Sequence, residues 1–492
     1  MTVWLLVVAV PFLTILIIAV VAYLGFRYIA GRIEWSMGNP PRHTFWEVLF
    51  TLRAHSLLSL LLTLQRAHTP QPAEHAMGSR PKVDWLDYIG FDPATFAPMP
   101  QDQTTTVDLT VTIGPIRPRP VTVSMPVLIA PMGYGIGLAA ETKVALAQAS
   151  SLAGIATATG EGAYLPEERA YAARWILQEG RGAWSHQAPV RSLADMIQLQ
   201  WGQASEGGAT VTKDPSELPF RMWKAAGKDE AVIKAAPYES VSTWVNEVRL
   251  QCPDIPIGIK IPATQHVEED LAYLVTLPID VVTLDGSEAG SAGSPAVVSD
   301  HFGIATALAV HRAHQWLTQT GLREHITLLV SGGIRGAADM ARLVALGADA
   351  VWVGSEPLIA ALHGQVSDPW VPVPPAQLVF ARSSVNRAPR LDVGQASEQV
   401  ANWLEATRSE LKTIMRTLGL TTLNELRRAR PLIARTQAAA NVFGLPFDGD
   451  IPNPSWNASL EELTASYSVL NQVLLVIGQN VGAWNQRVDG SA

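Results

Sequence analysis

Eight short apolar runs, each leading into glycine, serine or aspartate, follow one another along the middle of the chain. Stretches with helical spacing of apolar residues, such as AAETKVALAQASSLA and GAADMARLVALGA, separate most of these runs. Repeated strand-then-helix units predict an α/β fold, and eight of them favour a (β/α)8 TIM barrel over a doubly wound sheet. In chain order the runs are VLIAPMG, GIATATGEG, GAWSHQ, IQLQWG, IGIKIP, VVTLDGSEAGSAG, LLVSGGIRG and VWVGS.

The predicted barrel occupies residues 106–360 and has recognisable flanking patterns. VDLTVTIGPIRPRPVTVSMP alternates apolar and polar residues around a Gly-Pro turn, which predicts a hairpin of the kind that caps a barrel floor. The gap after the fourth run is too long for one crossover, so we expect an insertion at about residues 207–255. Residues 361–492 predict a helical C-terminal region, because GQASEQVANWLEATRSELKTIMRTLG and SLEELTASYSVLNQVLLVIGQ have helical spacing.

The first segment, Val3 to Phe26, has no charged residue and is longer than the roughly 20 residues that cross a bilayer. It lacks the basic start and the small-residue cleavage site of a cleavable signal peptide. Arg27 and Arg32 follow the segment and no Lys or Arg precedes it. The positive-inside rule therefore predicts a single-pass anchor in the cell membrane at residues 1–32, with the rest of the chain cytoplasmic. Residues 33–105 predict a linker and a helical N-terminal extension.

Composition narrows the classes of function. The net charge of -8, without any Lys/Arg-rich tract, argues against general affinity for nucleic acid. The single cysteine, Cys252, excludes an intrachain disulfide and any cysteine-ligated zinc or iron–sulfur cluster built from this chain alone. Cys252 itself is interpreted as a small buried residue.

The stretch PVLIAPMGYGIGLAAETKVALAQASS, residues 126–151, fits two structures. Gly135, Gly137 and Ala140 match the G-x-G-x-x-A fingerprint of a dinucleotide-binding Rossmann unit, and Glu161 lies at a suitable distance for a ribose contact. Alternatively, the stretch is the first barrel strand, and its glycines let a different flat cofactor lie against the backbone. A Rossmann unit does not explain the further strand-like runs, so the barrel is favoured.

Two glycine-rich loops follow the seventh and eighth runs, where barrels commonly bind phosphate groups. Glycines expose backbone N–H groups without obstruction by a side chain, and a predicted helix begins after each loop. The sequence therefore predicts a cradle for a monophosphate, with Arg335 as a charged partner. The predicted cradle residues are Gly332, Gly333, Gly354 and Ser355.

The ends of three other strands offer groups for a flavin ring. The first-strand segment Ala130, Pro131, Met132 and Gly133 is predicted to lie against the ring, with a backbone N–H toward its N5 atom. The second strand ends with Thr159 and Glu161. Lys260 lies within the IGIKIP strand, where a charged side chain needs a specific role, and stabilisation of the negative charge of reduced flavin is such a role.

Several of these segments together resemble the FMN-binding synthase domain of glutamate synthase and its stand-alone homologues. The resemblance extends from about Val107 to beyond Arg430 and agrees in order and spacing. It implies a TIM barrel that binds FMN, in which reduced flavin delivers hydride to 2-iminoglutarate, formed from 2-oxoglutarate and ammonia, to give L-glutamate. The segments are PVLIAPMGYG, TATGEGAY, QWGQASEGG, IGIKI, LDGSEAGSAGSP, SGGIRGAADMARLVALGADAVWVGS and VANWLEATRSELKTIMRTLGLTTLNEL.

The chain also departs from that family's pattern. Where the family has three cysteines for a 3Fe–4S cluster after the eighth strand, this chain reads SEPLIAALHGQVSDPW, so no cluster is expected. No glutaminase domain is present in the sequence. Gln200 and Gln203 occupy positions of expected cations in QWGQASEGG, and AAPYESVSTW lacks the family's His pair. These changes remove groups that would steer a dicarboxylate substrate.

The leading hypothesis is a membrane-anchored, FMN-dependent oxidoreductase of the glutamate synthase-like class that acts on an imino or oxo acid. Its electron donor and its ammonia source are expected to be separate molecules, and an oligomer is compatible with the sequence. Lys260, Glu161 and Gln203 are the predicted catalytic residues. The predicted substrate-binding residues are Glu206, Ser287, Gly290 and Ser291, the last three as N–H donors to a carboxylate or oxyanion.

Two alternatives stay open. One is an FMN-dependent oxidase or isomerase on another small acid or phosphate substrate, although the sixth-strand loop lacks the His and Arg expected of such oxidases. The other is a flavin-binding or inactive scaffold that organises membrane partners. His186, at the end of the run assigned as the third strand, is either a proton donor or an ordinary histidine at the barrel mouth.

Overall fold

The computed structural model describes residues 84–135, 137–180, 188–203, 240–290, 296–365, 376–381 and 390–449, with isolated positions before residue 28. The chain divides into two units, residues 1–74 and 75–492, and every element named below lies in the second. Within the first unit, the positions that the structure describes are helical.

The predicted membrane anchor falls almost entirely outside the described residues. Of Val3–Phe26, the structure describes residues 20, 23 and 24. Among the described residues, no helix is both long enough and apolar enough to cross a membrane. The anchor therefore stays a prediction.

Eight parallel strands form a closed barrel, which confirms the predicted fold class. Each strand pairs with its neighbours in chain order, and the last pairs with the first. Nearly every strand residue is buried on both faces, as expected where helices cover a parallel sheet. The strands are β4 (Val127–Ile129), β5 (Ala156–Ala158), β6 (Trp175–Glu179), β7 (Met196–Gln200), β8 (Ile257–Pro262), β9 (Val281–Asp285), β10 (Thr327–Ser331) and β11 (Ala350–Val353).

The third strand of the barrel is Trp175–Glu179, so the assignment of that strand to GAWSHQ is wrong. GAWSHQ, which includes His186, lies outside the described residues. Glu179 conceals the strand in the sequence, because a charged residue is rarely buried. Here its carboxylate is satisfied: it accepts from Arg191 Nη2 at 2.9 Å and from Trp244 Nε1 at 3.2 Å.

Helices follow the strands and cover the barrel. Residues 204–239, which include most of the predicted insertion, lie outside the described residues, whereas the helix Val241–Gln251 leads into β8. The helices are α1 (Ala140–Leu152), α2 (Pro166–Tyr171), α3 (Ala188–Arg191), α4 (Val241–Gln251), α5 (Val267–Leu274), α6 (Ala296–Ser299), α7 (Thr306–Gln319), α8 (Ala337–Leu346), α9 (Ser355–Leu362), α10 (Ala376–Val379), α11 (Val393–Thr417), α12 (Leu423–Ala429) and α13 (Gln437–Phe443).

The predicted hairpin is confirmed and lies at the N-terminal end of the barrel strands. It consists of β2 (Val111–Ile113) and β3 (Val121–Val123), paired antiparallel. The N–H of Gly114 donates to Thr327 Oγ1, at the start of β10, at 3.1 Å. Gly114 has φ +64, and a Cβ there would lie 2.6 Å from Pro256, so the turn requires glycine.

Aspartates placed just before alternate strands secure this floor. Asp195, Asp280 and Asp349 precede β7, β9 and β11, and each accepts a backbone N–H from near the start of the preceding strand. Asp280 is fully buried, and its two oxygens also lie 2.5 Å from nitrogens of Arg117 and Arg249. The carboxylates therefore hold the strand starts in register.

A row of polar side chains crosses the barrel interior below its mouth. Gln178 Nε2 donates to Gln198 Oε1 at 2.7 Å, and Gln198 Nε2 donates to Thr283 Oγ1 at 2.9 Å. Gln178 and Gln198 are in register on the adjacent strands β6 and β7, and Thr283 lies on β9, beyond β8. Because each buried amide finds a partner, the row fixes the interior geometry without leaving unsatisfied polar groups.

The two ends of the second unit meet beside the barrel. Strand β1 (Ile89–Phe91), preceded by a 3-10 helix at Trp85–Tyr88, pairs antiparallel with β12 (Leu432–Ala434). Trp85 also packs edge-on against Phe443, with ring centroids 5.6 Å apart. The long helix α11, capped by Asp392, packs on α1, α8 and α9. The closing helix predicted within residues 450–492 lies outside the described residues.

Candidate functional site

The predicted site lies at the mouth formed by the C-terminal ends of the barrel strands. Strand β11 lies between β10 and β4, so the two glycine loops and the first-strand loop are neighbours. The N–H of Ala130 donates to the carbonyl of Val353 at 2.8 Å. A Cβ on Gly354 would lie 3.6 Å from Ala130 Cβ and 3.8 Å from Met132 Sδ. The predicted cradle and the wall segment Ala130–Gly133 therefore adjoin one another.

The cradle presents a set of unused backbone donors. Gly332 and Gly333 have φ +117 and +68, conformations that favour glycine, and Ser355 is the first residue of α9. Positively polarised N–H groups at a loop and a helix start suit an anion such as a phosphate. Within the part of the chain that the structure describes, no hydrogen-bond acceptor is seen for the N–H groups of Gly332, Gly333, Gly354 or Ser355.

An ion pair between β8 and β9 lies near the mouth. Lys260 belongs to β8, four strands around the barrel from β4, and its side chain is almost completely buried. Its Nζ lies 2.9 Å from Asp285 Oδ2, and the Ser331 hydroxyl donates to the other oxygen, Oδ1. Asp285 and Ser331 are the last residues of β9 and β10. The ammonium is thus held at the mouth by a carboxylate that is itself fixed.

Sequence reasoning missed Asp285 and Ser331 as members of this site. Both residues lie within runs that predicted strands, VVTLDGSEAGSAG and LLVSGGIRG. The available signal was their place at a strand end immediately before a glycine, where functional side chains of a barrel gather. Their partnership with Lys260 depends on the order of neighbouring strands, which no local pattern contains.

The first two loops of the mouth contact one another through their backbones. A Cβ on Gly133 would lie 2.3 Å from the carbonyl oxygen of Glu161, and one on Gly160 would lie 2.3 Å from the nitrogen of Gly133. From the sequence, the first-loop glycines were predicted to leave room for a cofactor. The structure gives Gly133 a different requirement, since the second loop occupies the space beside its Cα.

Thr159 and Glu161 sit on that second loop. The Thr159 hydroxyl is buried and accepts the N–H of Gln178 at 2.9 Å, so it fastens the loop to β6. The Glu161 side chain lies against Gly180, where an added Cβ would be 2.3 Å from its Oε1. Both residues lie in the mouth region, and their predicted cofactor and catalytic roles stay predictions.

The loop after β9 was predicted to offer free N–H donors. In the structure, the N–H of Ser287 donates to Ile304 at 2.8 Å, and that of Gly290 donates to Glu288 at 3.0 Å. These two amides therefore already have acceptors. Ser291, the third predicted donor, lies outside the described residues, as does Glu206.

Glu288, in the same loop, is a buried carboxyl that the sequence did not single out. Its Oε2 accepts the N–H and the hydroxyl of Thr306, at 2.9 and 2.8 Å. Burial raises the pKa of Glu288, and the bonds from Thr306 oppose that rise. A Cβ on Gly333 would lie 3.1 Å from Glu288 Cβ, so the loop after β9 supports the cradle from below.

Arg335 points toward carboxylates. Its guanidinium lies 2.8 Å from Asp339, 2.8 Å from Asp87 and 3.2 Å from Asp84. Hydrogen bonds to Asp339 and Asp87 raise the pKa of Arg335. Its predicted role as a phosphate partner stays a prediction, and it would require the guanidinium to leave some of these contacts.

The glutamines that replace expected cations lie beside the lysine. Gln200 is the last residue of β7 and is in register with Lys260 on β8. Gln200 Nε2 donates to Gln203 Oε1 at 3.3 Å. This edge of the mouth thus presents carboxamides, which hydrogen-bond but carry no charge.

Elsewhere, Cys252 is buried at the end of α4, and burial raises the pKa of its thiol, in keeping with a packing role. Over the ranges that the structure describes, no three His, Cys, Asp or Glu side chains are grouped as metal ligands would be.

Comparison with known proteins identifies a family. The model of a family described as the conserved region in glutamate synthase matches residues 99–421, well over half of the chain. The matched range contains all eight barrel strands.

Individual relatives are distant. A glutamate synthase large subunit-like protein of Rhizobium meliloti is 27% identical over 410 residues, which cover 76% of this chain and 89% of that protein. An archaeal-type glutamate synthase [NADPH] of Thermotoga sp. is 27% identical over 348 residues, 68% of this chain and 66% of that enzyme. The chloroplastic ferredoxin-dependent glutamate synthase of Oryza sativa is 37% identical over 176 residues, 34% of this chain and 11% of that enzyme. The chain thus spans less than two thirds of the last two relatives.

Solved structures with a similar course of the chain include a flavocytochrome b2 variant with sulfite bound. It has a TM-score of 0.49 and 16% identity, covering 77% of this chain and 84% of that one. A mandelate oxidase variant with (S)-mandelic acid has a TM-score of 0.48 and 18% identity, covering 72% and 90%.

Proposed function

Since the chain belongs to the family defined by the conserved region in glutamate synthase, we propose that it is an FMN-dependent oxidoreductase of the glutamate synthase-like class. The observation that carries the proposal is the arrangement at the barrel mouth. Amides on the loops after β10 and β11, for which the described residues offer no acceptor, adjoin the first-strand wall, and a buried lysine on β8 lies opposite that first strand.

The residues present fit FMN on three counts. The amides of Gly332, Gly333, Gly354 and Ser355 would bind its phosphate, because together they supply donors without side-chain obstruction. The segment Ala130–Gly133 would line the ring, since it lies directly beside Gly354. Lys260 would lie at the anionic edge of the ring. Bound FMN would supply hydride transfer to an imino or oxo acid.

Lys260 and Asp285 have different electrostatic roles in the proposed site. An ammonium in a buried site stabilises nearby negative charge more strongly than it does in water. Asp285 fixes the direction of that ammonium, because its own second oxygen is held by Ser331. The pair carries no net charge, which lowers the cost of burying it, and the lysine nitrogen is held in one position.

For the acceptor, the resemblance points to 2-oxoglutarate and ammonia as the source of L-glutamate. We propose an imino or oxo acid as the class. Gln200 and Gln203 stand where cations are expected and bind each other. We further propose that a separate donor supplies electrons, that a separate reaction supplies ammonia, and that Val3–Phe26 anchors the chain in the membrane.

The cofactor is tested first by its visible spectrum. The full chain, purified in mild detergent and mixed with FMN before gel filtration, should retain a flavin with a perturbed absorption band. A chain that emerges colourless after reconstitution would overturn the proposal. Phosphate-free riboflavin is the matched control, because it cannot use the cradle amides and should be retained less well.

The acceptor is tested by single turnover. Chemically reduced holoprotein is mixed anaerobically with 2-oxoglutarate and ammonium, and reoxidation of the flavin is followed. Reoxidation faster than with 2-oxoglutarate or ammonium alone supports the glutamate reaction. A rate equal to that in buffer, from a protein that does bind FMN, would exclude 2-oxoglutarate and leave other imino and oxo acids to be tested.

A further inference from the structure

Helix α1 carries a lysine that the proposed chemistry does not use. Lys143 is completely buried, one turn into the helix that follows the first-strand loop. Its Nζ donates to the carbonyl of Ala158 at 2.7 Å and to that of Thr159 at 3.1 Å. The third contact is with Glu168 Oε1, at 3.0 Å. The ammonium thus donates two hydrogen bonds to backbone carbonyls and forms a buried ion pair with Glu168.

The two carbonyls that it binds lie where the second loop of the mouth begins, close to its contact with the first loop. Ala158 ends β5, and Thr159 begins the loop that packs backbone to backbone against Gly133. Lys143 itself belongs to the helix that emerges from the other loop of this contact. One side chain therefore connects the helix behind the first loop to the root of the second.

Packing alone would not require such a residue. A buried ammonium is costly to desolvate, and an apolar side chain of similar volume often gives equal or greater stability. Glu168, on α2, offsets the charge. An apolar side chain could not donate the two hydrogen bonds that fix the position of the loop root.

We propose that Lys143 is a positioning residue for the cofactor wall: it fixes the loop Thr159–Gly162 against the segment Ala130–Gly133 from behind. The inference rests on the proposed function, because it takes this wall to be where FMN binds. Lys143 touches neither cofactor nor substrate and acts through backbone carbonyls. Without those bonds, the root of the second loop keeps its bonds to β6 but loses its connection to α1, so the loop can adopt more than one position against the first.

Three variants separate positioning from stability. Lys143→Met removes the bonds to the carbonyls and leaves Glu168 buried alone. Lys143→Met/Glu168→Gln removes the same bonds without leaving a charge, so it should recover most of the thermal stability. Glu168→Gln is the matched control, because Lys143 keeps both carbonyls.

Two readouts are measured on the full chain: hydrogen exchange without FMN, and FMN affinity by fluorescence quenching. The N–H groups of Thr159 and Gly162 donate to Ile176 and Gly160, so their exchange reports on the loop. We expect both to exchange at least tenfold faster in the two Lys143→Met proteins, with FMN bound on the order of tenfold more weakly. Glu168→Gln should match the parent in both.

The outcomes decide between the two proposals. A double variant with parental exchange at Thr159 and Gly162 and parental FMN affinity would overturn the positioning role. Equal loosening in Glu168→Gln would overturn it as well, since the carbonyl bonds are intact there. If the parent itself binds no FMN, the proposed function fails, while exchange at these two amides still decides whether Lys143 positions the loop.

Discussion

Lys260 and Asp285 form an ion pair across adjacent strands at the mouth of the barrel, with Nζ 2.9 Å from Oδ2 and both side chains almost completely buried. Removing one member of a buried pair leaves the other charge without compensation. We therefore expect Asp285→Asn to lower the free energy of unfolding by about 3 kcal/mol, measured by urea denaturation of the FMN-free protein.

Ser331→Ala is the matched control for that variant, because it removes the hydroxyl bonded to Asp285 and leaves the ion pair intact. It should cost about 1.5 kcal/mol, the lower end of the range for one hydrogen bond to a charged group. Similar losses in the two variants would contradict the description of a dominant ion pair.

Gly354→Ala should weaken FMN binding without weakening the fold. Gly354 has φ -119, which other residues adopt, and the new methyl group would meet Ala130 and Met132 at ordinary contact distances. The same methyl group would stand in the proposed phosphate cradle, so we expect about tenfold lower affinity for FMN. Gly336→Ala, where nothing lies within 4 Å, should leave the affinity unchanged. Parental affinity of Gly354→Ala would exclude Gly354 from the cradle.

Asp280 should be among the most sensitive positions for stability. Its carboxylate holds two arginines and the N–H of Ile257 while fully buried. Asp280→Ala is expected to cost about 3–5 kcal/mol in chemical denaturation. Glu269→Gln disrupts only an exposed pair with His266 and should cost less than about 1 kcal/mol. A small effect at Asp280 would show that the floor does not depend on this carboxylate.

Two histidines on α7 should make the protein sensitive to mild acid. Burial, followed by the charge of Arg430, lowers the pKa of His311 to about 4, and burial with Arg323 lowers that of His314 to about 4. His314 Nδ1 accepts from Arg323 Nε at 3.0 Å, which requires a neutral ring.

The sign of the pH dependence follows from these values. Between about pH 6.5 and pH 4 the unfolded chain binds protons that the folded chain does not, so stability falls as the pH falls through this window. The melting temperature measured from pH 7 to pH 4 should decline, and His311→Gln/His314→Gln should flatten that decline. An unchanged profile in this variant would assign the acid sensitivity to other groups.

The sequence was sufficient for the barrel because most strands are continuous apolar runs that end in glycine or a small polar residue. It failed at Trp175–Glu179, where the strand ends in a glutamate that only the folded protein satisfies, through Arg191 and Trp244. A local pattern cannot show that a buried carboxylate will find an arginine from a later helix.

The candidate site divides in the same way. The glycines of the cradle and Lys260 stand out locally, one group by residue type and the other by its charge within an apolar strand. The role of Asp285 depends on Lys260, which lies on the neighbouring strand. That of Lys143 depends on the carbonyl of Ala158, at the end of β5. The same closeness of loops explains Gly133, whose restriction comes from Glu161 rather than from a ligand.

The pairing of β1 with β12 bears on how the protein can be shortened for expression or crystallisation. The region shared with the family runs from residue 99 to residue 421. In this small sheet and in the contact between Trp85 and Phe443, one partner precedes that region and the other follows it. A chain trimmed to the shared region would expose the apolar surface that these segments cover. A shortened protein should therefore retain residues 84–449, which include both strands of this sheet and both aromatic residues.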